Sequence, residues 1–141
     1  MGKVYWILTF LFLLSGCIKP SNDCNAVFDA IEKGKPDKLQ ALLDMGASAD
    51  CKSLDGVTPL GAAVRNRNPK LVAILLSAKA NPNLLDGGVS PLYNAILQDC
   101  EECARQIIAR GGKIIADKNQ MDYLFKYDHV KNKPYWRSLA P

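Results

Sequence analysis

Histidine is almost missing from this chain of 141 residues, with His129 the only one. A lone histidine near the C-terminal end forms no local Ser/His/Asp pattern, and no G-x-S-x-G, Walker loop or H-E-x-x-H occurs. Acidic residues are scattered at helix starts and turns, where capping explains them, so no enzyme activity, cofactor or metal site is expected. His129 itself reads as a solvated residue at the end of the last helix. Neither sign of charge dominates. The formal net charge is +4, one unit of it from Lys3, too weak a bias to imply nucleic acid. Long apolar runs are also lacking. The stretch from Val4 to Leu14 falls well short of the roughly 20 residues that a membrane-spanning helix needs.

What that stretch does offer is an export signal. One positive charge at Lys3 precedes the apolar run, and small residues Ser15 and Gly16 follow it. Leu14-Ser15-Gly16-Cys17 resembles the lipobox of bacterial lipoproteins. That resemblance implies diacylglycerol on the Cys17 sulfur, cleavage before Cys17 and acylation of the new amine, against an ordinary cleaved signal with Cys17 as just another thiol. Three acyl chains exceed the two signals that stable anchoring takes. Ile18, not aspartate, follows the cysteine, so the implied address is the outer membrane, facing the periplasm. Residues 1–16 are then a signal peptide, and 17–24 the lipidated cysteine and a short polar tether.

The rest is periodic. Leu42-Leu43 recurs as Leu75-Leu76 and again as Ile107-Ile108, a period of about 33 residues. Thr58-Pro59-Leu60 recurs at nearly the same spacing as Ser90-Pro91-Leu92. Thr58 suits a helix N-cap and Pro59 the first helical position; Asn68-Pro69 repeats the device. Leu71, Val72, Ile74, Leu75 and Leu76 give the second helix of that pair a broad apolar face, which one pair cannot bury alone. This period resembles the ankyrin repeat, on TPLGAA (58–63), LLDMGASAD (42–50), LLSAKANPN (75–83), SPLYNA (90–95) and IIARGG (107–112). The resemblance implies an all-α solenoid of about three helix-turn-helix repeats over 25–122 (25–57, 58–89 and 90–122), with a C-terminal cap and tail over 123–141.

Within that frame Asn25 should cap the first helix and Gly34 stop it, and third-repeat helices should run over Pro91–Gln98 and Glu101–Arg110. Asp117 to His129 should form one amphipathic helix with Met121, Leu124 and Phe125 inward. Tyr135 and Trp136 either fold back on that cap or belong to a binding surface. Two departures stand out. The family's T-P-L-H histidine is replaced by Gly61 and Tyr93, and Lys79 stands where Gly46 and Gly111 sit in the sister repeats. A left-handed backbone at Lys79 would cost about 1 kcal/mol.

Four cysteines besides Cys17 suggest disulfides in an exported chain. In repeat register, Cys24 occupies before the first repeat the position that Val57 holds before the second. Cys51 lies on the other arm of the same hairpin layer, so stacked hairpins favour Cys24–Cys51 and leave Cys100–Cys103. The latter C-x-x-C resembles a thioredoxin-type pair, but the surrounding pattern differs, and Asp99, Glu101 and Glu102 disfavour a thiolate. A zinc site would have only His129 as a nitrogen ligand.

The ankyrin resemblance places partner binding on the hairpin tips and the exposed side of each first helix. Those positions are Glu32 and Lys33 in the first repeat, Leu54, Asp55, Val57, Arg65 and Asn66 in the second, and Asp86, Val89, Tyr93, Leu97 and Gln98 in the third. Leu54, Val57, Val89, Tyr93 and Leu97 would make an apolar centre, unless Val57, Val89 and Leu97 merely cover the adjacent repeat. The expected role is a non-enzymatic, monomeric, lipid-anchored binder of another protein. One form is an immunity protein against a periplasm-acting toxin such as a type VI secretion phospholipase; the alternative is an envelope scaffold.

Overall fold

The computed structural model describes residues 24–139, which form nine helices and no extended strand. Three helical hairpins come first: α1 (Cys24–Glu32) with α2 (Pro36–Asp44), α3 (Pro59–Arg65) with α4 (Pro69–Ser77), and α5 (Pro91–Leu97) with α6 (Glu101–Ala109). The first helices stack α1–α3–α5 and the second helices α2–α4–α6, giving two layers. The core lies between them. Val27, Ile31, Leu60, Val64 and Ile96 from the first layer meet Leu39, Leu71, Leu75 and Ile107 from the second, all of them buried. Fully burying such a side chain is worth about 1.5–3 kcal/mol, and each hairpin's face is covered by its neighbour in the stack.

Helix starts follow the cap-plus-proline reading. Thr58 Oγ1 accepts from Gly61 N at 3.0 Å, Asn68 Oδ1 from Leu71 N at 3.2 Å and Ser90 Oγ from Tyr93 N at 3.3 Å. Each cap is followed by proline at the first helical position. The first helix departs from expectation, because α1 already includes Cys24 and so Asn25 lies inside its first turn. Loop-to-loop bonds fix the stacking register. Asp50 accepts from Asn81 N at 2.9 Å, and Asn83, one repeat after Asp50, accepts from Lys113 N at 2.8 Å.

Lys79 is left-handed at φ +65°, matching Gly46 (+93°) and Gly111 (+81°). The turn inside each hairpin has its own left-handed residue, Gly34 (+59°), Arg67 (+50°) and Asp99 (+54°), again one repeat apart.

The C-terminal cap corrects the expectation of one helix over 117–129. An Asp117–Gln120 capping box opens α7 (Lys118–Leu124), but the chain turns at Phe125–Tyr127 before α8 (Asp128–Asn132) and α9 (Pro134–Ser138). Leu124 and Val130 are both buried. On one straight helix, at about 100° per residue, they would point to well-separated sides, so the break is what lets both reach the core. Of the two fates open to the tail aromatics, Trp136 folds back. It is 1% exposed, and its indole N–H donates to Asp99 Oδ1 at 2.8 Å. Lys133 Nζ donates to the same carboxylate at 2.7 Å. Tyr135 packs edge-on to Trp136 and under the Arg105 guanidinium.

The structure joins Cys24 to Cys51 and Cys100 to Cys103, with Cα–Cα distances of 5.9 and 5.3 Å. The first bridge ties the start of α1 to the loop leading into the first hairpin tip. Cys17 and the expected signal sequence lie outside the described residues. Among those residues, no helix is long and apolar enough to cross a membrane.

Candidate protein-binding groove

A depression of about 330 Å³ opens between the first two repeats, on the side of the first-helix layer. The helices contribute Asn25, Phe28 and Glu32 from α1 and Ala62 and Arg65 from α3, with Asn66 just beyond; the hairpin tip contributes Ser53, Asp55 and Val57. Local chemistry sets its walls. Ser53 N donates to Val57 O at 3.0 Å and Ser53 Oγ accepts from Val57 N at 3.1 Å, which closes the tip and leaves Leu54 projecting, 106% exposed. Of the sequence-derived set, Asp55, Val57, Arg65 and Asn66 come together here with Glu32, and Leu54 stands beside them. Lys33 does not join them; with Lys38 it pairs with Asp29, and these two ammonium groups hold the Asp29 carboxyl down at about 2.

The third-repeat members are placed otherwise, which corrects the expected apolar centre. Tyr93 is 4% exposed and its hydroxyl donates to Gln120 O at 3.0 Å, so the cap helix α7 lies over it. Burial pushes its pKa up. Val89 is buried, because it closes its own hairpin against the stack: Asp86 N donates to Val89 O at 2.9 Å. Asp86 is 3% exposed and accepts from Arg65 Nη1 and from Asn94 Nδ2 at 3.3 Å, a bridge across two repeats. Leu97 and Gln98 are half-buried at the end of α5.

Gly61 explains why Asp86 can sink so far. A Cβ on Gly61 would overlap the Asp86 carboxylate, so only glycine leaves room for it. The sequence marks Gly61 as a departure without giving this cause, and the sequence-derived set lacks Asn25, Phe28, Ser53 and Ala62 from the groove. The repeat spacing carries the signal, since Phe28 lies one repeat before Gly61, and Ser53 one repeat before Asp86. Among the described residues, no cluster of three or more His, Cys, Asp or Glu side chains could hold a metal ion.

The profile of ankyrin repeats in three copies matches residues 10–122. This chain belongs to the ankyrin-repeat family. An ankyrin repeat domain from Acinetobacter baumannii AYE superposes with a TM-score of 0.59 at 30% identity, over 62% of this chain and 47% of that one. Among curated proteins, the human mitochondrial disaggregase is 39% identical over 94 residues, 67% of this chain and 13% of that protein. Protein PhlB of Serratia liquefaciens is 35% identical over 75 residues, 52% of this chain and 33% of PhlB. The chain thus spans a minor part of either relative. Ankyrin stacks generally bind other proteins, and a groove flanked by an exposed leucine suits that use.

Proposed function

We propose that this ankyrin stack is a non-enzymatic, lipid-anchored module of the bacterial envelope that binds another protein through the groove between its first two repeats. The observation that carries the binding reading is that groove, lined by the apolar Phe28, Val57 and Ala62 together with carboxylates and amides, with Leu54 fully exposed beside it. An apolar centre within a polar rim is the anatomy of a specific interface. The envelope reading draws on Leu14-Ser15-Gly16-Cys17 and on the two cysteine pairs, which belong to an oxidising compartment. Anchoring at the membrane raises the local concentration of the module wherever a partner must act on lipid.

The partner class we favour is a periplasm-acting toxin, which the module neutralises as an immunity protein. The test is co-expression with candidate periplasm-directed toxins encoded beside it, scoring survival and complex formation. Rescue that is lost on replacing Leu54 by aspartate supports the reading. If no such toxin binds and loss of the gene leaves cells resistant to their sisters, the immunity role falls and the scaffold role replaces it. Replacing Cys17 by serine should release the protein from the outer-membrane fraction; retention there would refute the anchor.

A further inference from the structure

The two junctions between repeats are built from equivalent positions but not from equivalent chemistry. At the second junction Arg65, Asp86 and Asn94 form the buried bridge described above. Counting back one repeat from Arg65, Asp86 and Asn94 gives Glu32, Ser53 and Ala62 at the first junction. The hairpins agree on this alignment, since Ser53 N donates to Val57 O much as Asp86 N donates to Val89 O. All three of these residues line the 330 Å³ depression. The groove is therefore the place where the guanidinium–carboxylate–amide bridge has no counterpart. A cation-bearing side chain has been replaced by an acid, and two polar groups by a hydroxyl and a methyl.

We propose that the protein bound in this groove supplies the guanidinium itself, as an arginine side chain. This rests on the groove being the binding surface, and it adds the chemistry of the anchor. Two carboxylates, Glu32 and Asp55, line the depression, and Arg65, the cation among its lining residues, is already paired with Asp86. The local balance is acidic although the whole chain is basic. Arginine fits better than lysine, because a planar, weakly hydrated guanidinium can stack on an aromatic ring such as Phe28 while its fork meets carboxylates and amide oxygens. Leu54, standing beside the groove, would cover apolar neighbours of that arginine on the partner.

The test is an NMR titration of the isotope-labelled chain with an acetylated, amidated pentapeptide, Gly-Leu-Arg-Leu-Gly, and with the same peptide carrying citrulline, the neutral isostere of arginine. The arginine peptide should shift the amide resonances of Ser53, Asp55 and Asn66 in the millimolar range, with the citrulline peptide about tenfold weaker. Glu32→Gln should weaken the arginine peptide by a similar factor without altering the melting temperature. Glu102→Gln, on the opposite helix layer, should leave binding unchanged. Equal binding of the two peptides, shifts centred elsewhere, or no shifts at all would overturn the arginine anchor. If a partner protein cross-links to the Leu54 position but is indifferent to Glu32→Gln, the groove stands as the interface and only the arginine inference falls.

Discussion

Gly61 and Asp86 show how a single residue can decide the shape of the stack. The carboxylate of Asp86 fills the space that any side chain at position 61 would need, and there it gathers Arg65 and Asn94. Gly61→Ala would gain about 1 kcal/mol of helix propensity but must displace a buried carboxylate with two partners. We expect a net loss of about 1–3 kcal/mol by denaturant unfolding, and less in an Asp86→Ala background, where the methyl has room. Lys79 works in the other direction. It is held at φ +65° on the exposed surface, so it carries left-handed strain. Lys79→Gly should therefore stabilise the protein by a few tenths to about 1 kcal/mol, measured in the same way. No gain would show that the strain is already relieved elsewhere. The left-handed turn at Lys79 is legible in the sequence from its sister glycines. Those at Arg67 and Asp99 are harder to see, because Gly34 alone marks that repeat position.

At the scale of elements, the hairpins and the presence of a cap are legible in the sequence, and the break within the cap is not. The Thr-Pro, Asn-Pro and Ser-Pro starts act within one helical turn, so α3, α4 and α5 begin where the sequence places them. The break between α7 and α8 depends on burying Leu124 and Val130 against a stack whose shape no local pattern records. Tyr93 departs from its expected place for the same reason. The same repeat position in the second repeat is Gly61, which packs under Asp86 of the next hairpin, and after Tyr93 the cap closes over that place through Gln120. The cap's anchor is Trp136, bonded with Lys133 to Asp99. Trp136→Ala should cost about 3–5 kcal/mol and uncover Tyr93 and Leu124. Faster amide exchange confined to the third repeat and the cap would bear this out; a uniform loss across all repeats would contradict a locally anchored cap.

For the whole molecule, a short stack needs closure at both ends. The cap provides it at one end, and the Cys24–Cys51 bridge ties the other, where α1 has no preceding repeat among the described residues. Loop-closure entropy puts that bridge, between cysteines 27 residues apart, at roughly 3.5 kcal/mol. Peptide mapping without reductant should recover Cys24–Cys51 and Cys100–Cys103, and a Cys24–Cys100 link would break the stacking register. The groove lies between the first two repeats, at the end of the stack where the described residues begin, so under the proposed lipid anchor at Cys17 a partner held there would be kept at the membrane. The most direct test of this account places a photo-cross-linking residue at position 54 and, separately, at position 77 on the exposed part of α4, in cells that produce the protein. Adducts with one discrete partner from position 54, absent from position 77, are the predicted result. Adducts from position 77 with none from position 54 would contradict the claim that this protein binds through the groove between its first two repeats.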